Sequence, residues 1–161
     1  MNLIVAVDDS WGIGKNNQLL FKIKKDMKLF KELTIGKVVV MGRNTYMSLP
    51  ENNRPLPERF NIVLTKDTSW SHPGVMTCTS VSDLMKKLSR FKTSDIFIIG
   101  GESIYKQMLP YCTTAYVTKV NKHCDADRFM ENLDNMSEWV PTNVRHEEEC
   151  SFWTYQRFLD I

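Results

Sequence analysis

Residues 38–45 read Val-Val-Val-Met-Gly-Arg-Asn-Thr, and residues 96–103 read Ile-Phe-Ile-Ile-Gly-Gly-Glu-Ser. Each stretch is an apolar run typical of a buried strand, which ends in glycine and leads into a helix-forming segment. Glycine lets backbone N–H groups approach an anion, and a helix N-terminus adds partial positive charge. Either junction alone is equally compatible with a simple tight turn, and neither is a G-x-G-x-x-G fingerprint. Because ligands of open parallel sheets bind beyond the carboxyl ends of the strands, the two junctions together predict a phosphate-bearing ligand.

The rest of the chain continues this alternation of strand and helix. The predicted strands are 3–7, 37–41, 61–64, 95–99 and 114–120, followed by two long strands at 138–149 and 151–159. The predicted helices are 24–33, 43–49, 81–91 and 103–109. Ser80, three residues before Asp83, predicts a capping box for the third helix. The pattern predicts a mostly parallel α/β sheet, covered by helices on both faces, with an antiparallel C-terminal ending.

Composition predicts one compact domain over residues 1–161, with 42% hydrophobic residues and a formal net charge of +2. The near-balanced charge gives no electrostatic footprint for nucleic acid, and the apolar runs are far shorter than the roughly 20 residues that span a bilayer. The N-terminus does not read as a signal peptide, so we expect a cytoplasmic protein with reduced cysteines. The four cysteines have no metal-like spacing, and the three histidines are predicted to lie on the surface; we expect no metal site.

The helix over 24–33 carries an acid on its apolar side. At about 100° per residue, Asp26 falls in the arc shared by Ile23, Met27, Leu29, Phe30 and Leu33. A carboxylate there is desolvated and needs a partner, and no basic residue shares its face one turn away. One interpretation is a helix cap, because Asp is common in first turns. The other is a cleft carboxylate that binds a cationic or amidine-like group of a substrate.

These features resemble the dihydrofolate reductase family, in its bacterial-type single-domain form, over nearly the whole chain. The strings that carry the resemblance are 3–7, 12–14, the helix with Asp26, Phe30 and Thr34, 36–46, 54–61, 99–105, 116–118 and 126–127. The resemblance implies a mixed, mostly parallel eight-stranded sheet flanked by four helices. It also implies hydride transfer from NADPH to the imine carbon of dihydrofolate, with protonation of the adjacent ring nitrogen. The implied partners are this substrate and antifolate inhibitors, and we expect a monomer.

The family roles transfer to named positions of this sequence. Asp26 corresponds to the pterin-binding acid, Thr118 to its hydrogen-bonding threonine, and Phe21 to a tryptophan beside the substrate; these are the implied catalytic residues. Arg59 would pair with the glutamate-tail carboxylate of folate, and Arg54 is either a looser tail contact or a solvated surface residue. The implied substrate-binding residues are Ile4, Val5, Ala6, Asp26, Phe30, Leu49, Arg54, Arg59, Ile99, Tyr105 and Thr118.

The resemblance also implies where the cofactor lies. Arg43 with Lys66 could meet a 2′-phosphate, which favours NADPH over NADH, although Lys66 alone also fits an ordinary loop lysine. The family has a cis peptide at Gly100–Gly101. The implied cofactor-binding residues are Ala6, Ile13, Gly14, Asn17, Gln18, Leu19, Gly42, Arg43, Asn44, Thr45, Leu64, Thr65, Lys66, Thr79, Ile99, Gly100, Gly101, Glu102, Ser103, Ile104 and Tyr105.

The sequence departs from the family pattern in three places. Where the family has Leu-Pro-Trp and then Leu-Pro, residues 19–21 are Leu-Leu-Phe and residues 23–24 are Ile-Lys. Without the prolines and the indole N–H we expect altered loop closure or antifolate affinity. Residues 127–131 also differ, and we expect that change to affect loop packing rather than chemistry. The insertion at 50–53 lies at the mouth of the predicted folate-tail groove.

Two other functions fit parts of the pattern. A riboflavin-pathway reductase shares this fold and NADPH, but lacks the matching Asp26 helix and Arg59 tail site. A non-catalytic NADP-binding module is supported only by the altered 19–21 loop. Cofactor binding without dihydrofolate-dependent oxidation would favour the second.

Overall fold

A computed structural model of the chain describes residues 1–159, which form eleven strands and four α-helices. The helices are α1 (Lys24–Thr34), α2 (Arg43–Ser48), α3 (Val81–Leu88) and α4 (Glu102–Met108). The strands are β1 (Asn2–Val7), β2 (Gly12–Lys15), β3 (Gln18–Leu19), β4 (Val38–Gly42), β5 (Phe60–Leu64), β6 (Val75–Cys78), β7 (Ile96–Gly100), β8 (Thr114–Val120), β9 (Arg128–Phe129), β10 (Trp139–His146) and β11 (Cys150–Arg157). Among the described residues, no helix is both long and apolar enough to cross a membrane.

Eight of the strands form one sheet in the order β10-β11-β8-β1-β7-β4-β5-β6. Strands β8, β1, β7, β4, β5 and β6 pair in parallel, and β11 pairs antiparallel with both β8 and β10. The predicted fold class, a mostly parallel eight-stranded α/β sheet with an antiparallel C-terminal strand and four helices, is therefore confirmed.

The sequence did not reveal every element. Strand β6 and the small sheet β3-β2-β9 were missed, because two- to four-residue strands carry too few side chains to show a period. Helix α3 ends three residues before the predicted boundary at Phe91. The Ser89 hydroxyl donates to the Lys86 carbonyl at 2.6 Å, and the Phe91 N–H donates to Leu88 at 3.0 Å in a final turn outside the helix.

Side-chain alternation along β1 separates two apolar clusters on the two faces of the sheet. Leu3, Val5 and Val7 lie in a cluster with the buried side chains of α3 and α4. Ile4 lies in the other cluster, which includes Tyr46 of α2 and is contacted by Phe30 of α1. Since β1, β4, β5 and β7 are parallel, their carboxyl ends meet at one edge of the sheet, where the loops leading to α2 and α4 begin.

Candidate active site

The two glycine junctions predicted from the sequence lie side by side. Strands β4 and β7 are neighbours, with Met41 opposite Gly100. A Cβ atom on Gly101 would lie 3.3 Å from the Thr45 hydroxyl, and one on Gly42 would lie 3.1 Å from the Ile104 side chain. Gly42 and Gly101 are the N-cap residues of α2 and α4, and no side chain within residues 1–159 caps either helix. The first-turn N–H groups of both helices therefore face the same edge of the sheet.

Gly100 also packs against the aromatic ring of Tyr105. The Gly100–Gly101 peptide is cis, as the resemblance implies. Gly100 has a φ of +123°, and a Cβ atom there would lie 3.2 Å from the Tyr105 hydroxyl oxygen. That hydroxyl donates to the Ile4 carbonyl at 2.7 Å, which joins α4 to β1. Burial, with a smaller contribution from the Asp26 charge, raises the pKa of Tyr105, so its hydroxyl remains protonated.

Asp26 is the half-buried acid of α1, and its partner lies 92 residues away. The Thr118 hydroxyl, on β8 and only 4% exposed, donates to Asp26 Oδ1 at 2.7 Å. Burial raises the pKa of Asp26, while the Thr118 hydrogen bond opposes part of that rise. Within the described chain no cationic side chain lies at ion-pair distance, and Asp26 does not cap its helix. Of the two interpretations, the geometry therefore supports the cleft carboxylate.

The predicted apolar slot is partly assembled around this acid. Phe30, Leu49 and Ile99 are half-buried and pack against the cluster that contains Ile4. The side chain of Val5, by contrast, packs in the cluster on the opposite face of the sheet, as strand alternation requires. Thr34 is the only fully buried residue of α1, so the apolar arc of that helix stays partly exposed. We call this partly exposed apolar surface beside Asp26 the Asp26 cleft.

The two arginines of the predicted folate-tail site have different surroundings. The half-buried Arg59 guanidinium lies against α1. It donates to the Thr34 hydroxyl at 3.2 Å and lies 6.0 Å from the centre of the Phe30 ring. Arg54 instead donates to the carbonyls of Met47 and Leu49, at 2.9 and 2.8 Å, and its side chain is 17% exposed. The solvated-surface interpretation of Arg54 is therefore not supported, because this guanidinium holds the end of α2.

A basic rim follows the ends of β4, β5 and β6. Gly42 pairs with Leu64, which sets Arg43 beside Thr65, and the Thr65 N–H donates to the Cys78 carbonyl at 2.9 Å. The exposed Lys66 and Thr79 follow directly in sequence. These predicted residues thus lie at neighbouring strand ends. Arg43 also forms an ion pair with Asp67, between Nη1 and Oδ2 at 3.1 Å, which the sequence did not predict.

The loop before α1 contains the remaining predicted residues. Ile13 is buried in β2, whereas Asn17, Gln18 and Leu19 are exposed in the turn and short strand that follow. Phe21 packs with Ile23 and Leu29 of α1 against the cluster of Val120, Cys150 and Phe152. Its ring therefore anchors the end of the loop on β8 and β11. The effect of the missing prolines on loop closure stays a prediction.

The three histidines and four cysteines are not among the predicted site residues. All three histidines are exposed, as predicted, and the four cysteines are free thiols. His123 Nδ1 lies 2.7 Å from Asp9 Oδ1, close to Asp8. The Asp8 carboxylate accepts the N–H groups of Ser10, Gly12 and Cys124. Asp8 is thereby committed to holding two loops together.

Two residues next to predicted site residues were not proposed from the sequence. Met27 follows Asp26 and is 57% exposed, although the helical wheel placed it toward the core. The wheel gives the direction of a side chain and not whether protein fills the space there. Asp67 follows Lys66, and its only sequence signal is an acid next to a predicted basic site.

Comparisons with known proteins identify the family of this chain. A family model described as dihydrofolate reductase matches residues 1–157. The chain is 35% identical to a dihydrofolate reductase of Aedes albopictus, in an alignment that covers 94% of this chain and 92% of the relative. It is 37% identical to the proteins of that name from Drosophila melanogaster, with 87% and 84% covered, and from Haemophilus influenzae, with 86% and 82% covered. A family match of this extent leads to one assignment: the chain belongs to the dihydrofolate reductase family.

Proposed function

We propose that this chain reduces 7,8-dihydrofolate to 5,6,7,8-tetrahydrofolate with NADPH as the hydride donor, as a single-domain monomer of one-carbon metabolism. The observation that carries the proposal is the half-buried carboxylate of Asp26, which has one protein hydrogen bond and no cation among the described residues. Its apolar surroundings and the neighbouring glycine junctions fit a flat heterocycle and a phosphate-bearing cofactor in one cleft. The relatives named above are themselves called dihydrofolate reductases.

Asp26 would bind and orient the pterin ring. A carboxylate can accept two hydrogen bonds in parallel, from the ring amino group and the adjacent ring N–H. Thr118 donates to Oδ1, which would fix the rotation of the carboxylate and leave Oδ2 for the substrate. The apolar slot of Ile4, Phe30, Leu49 and Ile99 would hold the ring by burial. The substrate would thereby be fixed in one orientation.

Asp26 would also promote the protonation of the substrate. A negative charge in poorly solvated surroundings favours the cationic form of a bound base more strongly than the same charge does in water. The acid would bind the far side of the ring, so a water molecule would deliver the proton to the ring nitrogen. Asp26 is in this way a catalytic residue that raises the proton affinity of the substrate.

Arg59 is the residue proposed for the glutamate tail. Its guanidinium is half-buried beside Phe30, at the end of α1 away from Asp26, and its Nε donates to the Pro57 carbonyl at 2.9 Å. Burial lowers the pKa of Arg59, but arginine remains charged at neutral pH. A folate carboxylate would pair with the remaining N–H groups, and antifolates that carry the same tail would use this contact.

The residues at the glycine junctions fit a dinucleotide cofactor. Gly42 and Gly101 leave the first turns of α2 and α4 uncapped by any described side chain, so N–H groups there can donate hydrogen bonds to phosphate oxygens. Arg43 and Lys66 would hold a 2′-phosphate, and Ser103 and Thr45 would add hydroxyl groups. When bound, the nicotinamide supplies the hydride, and the protein contributes position, charge and the exclusion of water.

Turnover of NADPH tests the proposal. We expect its oxidation, followed by near-ultraviolet absorbance, to require dihydrofolate and to fall by about 10²–10⁴-fold near neutral pH in Asp26→Asn. The matched control is Asp83→Asn, because Asp83 is the third residue of α3 as Asp26 is of α1. Full activity in Asp26→Asn, or NADPH binding without any dihydrofolate-dependent oxidation, would overturn the assignment.

A further inference from the structure

Asp67 places a negative charge in the basic rim described above. Its Oδ2 pairs with Arg43 Nη1 at 3.1 Å. Its Oδ1 accepts the Ser69 N–H at 3.0 Å and the Ser69 hydroxyl at 2.6 Å, and its own N–H donates to the Thr65 hydroxyl at 3.2 Å. Both oxygens therefore have partners, and the loop from Thr65 to Ser69 holds the carboxylate against the guanidinium.

The carboxylate is charged throughout the neutral range. The hydrogen bonds from Ser69 hold the pKa of Asp67 below its ordinary value, and the Arg43 charge acts in the same direction. The local balance is thus two cations, Arg43 and Lys66, against one anion. Half of the cationic charge at this rim is offset before any ligand arrives.

From this geometry we infer that Asp67 is a specificity-determining residue that weakens the preference for a cofactor with a 2′-phosphate over one with a free 2′-hydroxyl. The inference rests on the proposed function, in which Arg43 and Lys66 hold that phosphate. A phosphate at Arg43 must use the N–H groups that Asp67 leaves free and lie beside an anion, or displace the carboxylate from Arg43. A ribose hydroxyl is neutral and can donate a hydrogen bond to a carboxylate, so the Asp67 charge does not oppose its binding.

The Arg43–Asp67 ion pair should affect the affinity for the nucleotide more than the stability of the fold. Arg43 and Asp67 are 41% and 45% exposed, and exposed pairs contribute little to folding. A fixed charge next to a phosphate that carries nearly two charges nevertheless changes its affinity, by about tenfold at low salt. Screening reduces the effect as the ionic strength rises.

Binding of two nucleotides to the protein without cofactor tests the inference independently of turnover. The probes are adenosine 2′,5′-bisphosphate and adenosine 5′-monophosphate, titrated by calorimetry at low and at high salt. We expect Asp67→Asn, which keeps the size and the Ser69 contacts, to bind the bisphosphate about tenfold more tightly, with the monophosphate unchanged or slightly weaker. The gain should shrink in high salt.

Asp95→Asn is the matched control, because Asp95 forms a similarly exposed ion pair with Lys37 at 2.9 Å, at the other end of the strands. It removes the same charge from the protein and should leave both affinities unchanged. An unchanged affinity ratio in Asp67→Asn, or the same gain in Asp95→Asn, would overturn the inference. A parent that binds neither nucleotide would overturn it together with the cofactor site, whereas selective nucleotide binding without NADPH oxidation would overturn the reductase activity alone.

Discussion

Helices α1 and α3 carry an acid at the same position but place it in different surroundings. Each has an aspartate as its third residue, Asp26 in α1 and Asp83 in α3. In α3 the Ser80 hydroxyl accepts the Asp83 N–H at 3.0 Å, and the Asp83 carboxylate pairs with Lys87 at 3.3 Å on the surface. In α1 the N-cap is Ile23 without any side-chain cap, and the Asp26 carboxylate accepts a hydrogen bond from Thr118 of β8.

The apolar faces of the two helices also differ in how far they are buried. Leu84 and Leu88 of α3 are 0% and 2% exposed, so that face is filled with protein. In α1 only Thr34 is fully buried, and the aliphatic side chains of its apolar arc remain partly or largely exposed. A helix that lacks a side-chain cap, holds a desolvated acid and leaves part of its apolar face exposed should add less to stability than a capped helix with a filled apolar face. Such local conflicts are expected where a ligand completes the packing.

The largest effect on stability should come from the filled face. Leu84→Ala removes a fully buried side chain from α3, so we expect the free energy of unfolding to fall by about 2–5 kcal/mol. Denaturant titration measures this change. Turnover by the folded fraction at low temperature should remain near that of the parent, because Leu84 lies on the face of the sheet opposite the Asp26 cleft. A loss below 1 kcal/mol would contradict the assignment of α3 as the tightly packed helix.

A smaller effect of opposite sign should come from the acid of α1. Burial raises the pKa of Asp26, so the folded protein binds this proton more tightly than the unfolded chain does. Stability is therefore lost as the pH rises from the unfolded pKa through the folded one. We expect Asp26→Asn to be more stable than the parent at neutral pH, by roughly 1 kcal/mol, and to lose that advantage near pH 3.

Asp83→Asn sharpens this contrast between the helices. It removes an exposed pair with Lys87 and a favourable charge near a helix N-terminus, so it should destabilise by a few tenths of a kcal/mol at neutral pH. Thermal unfolding of the parent, Asp26→Asn and Asp83→Asn between pH 3 and pH 8 measures whether each substitution raises or lowers stability. If the two substitutions shifted stability in the same direction, Asp26 would not be the strained acid that its burial indicates.

Local signals allowed much of the fold to be predicted from the sequence. The Ser80 cap, the four helices, seven of the eight main strands and the two glycine junctions all follow from neighbouring residues. The strands that were missed are short and depend on their partners for hydrogen bonds. The C-terminal boundary of α3 depended on a hydroxyl contact of Ser89, which the residue pattern does not encode.

The site was predictable only where a local conflict revealed it. Asp26 was found because a charged side chain on the apolar face of a helix is unusual unless it has a partner. Its pairing with Thr118 spans 92 residues and came from the family resemblance alone. The Arg43–Asp67 pair depends on the register of β4 with β5, and the contacts of Arg54 depend on where α2 ends, so neither was visible in the sequence.

A substitution at Met27 should have little effect on stability, and it tests whether the exposed part of the apolar arc of α1 is a binding face or ordinary surface. Met27→Ser should change the free energy of unfolding by less than about 0.5 kcal/mol, since the side chain is 57% exposed in the protein alone. If dihydrofolate covers it, the KM for dihydrofolate should rise by roughly three- to tenfold through lost apolar contact, while the KM for NADPH stays constant. Met47→Ser is the matched control, because Met47 of α2 is 49% exposed and should shift neither constant. Equal kinetics in the two variants would mean that Met27 is plain surface, and the uncovered part of α1 would then begin at Phe30.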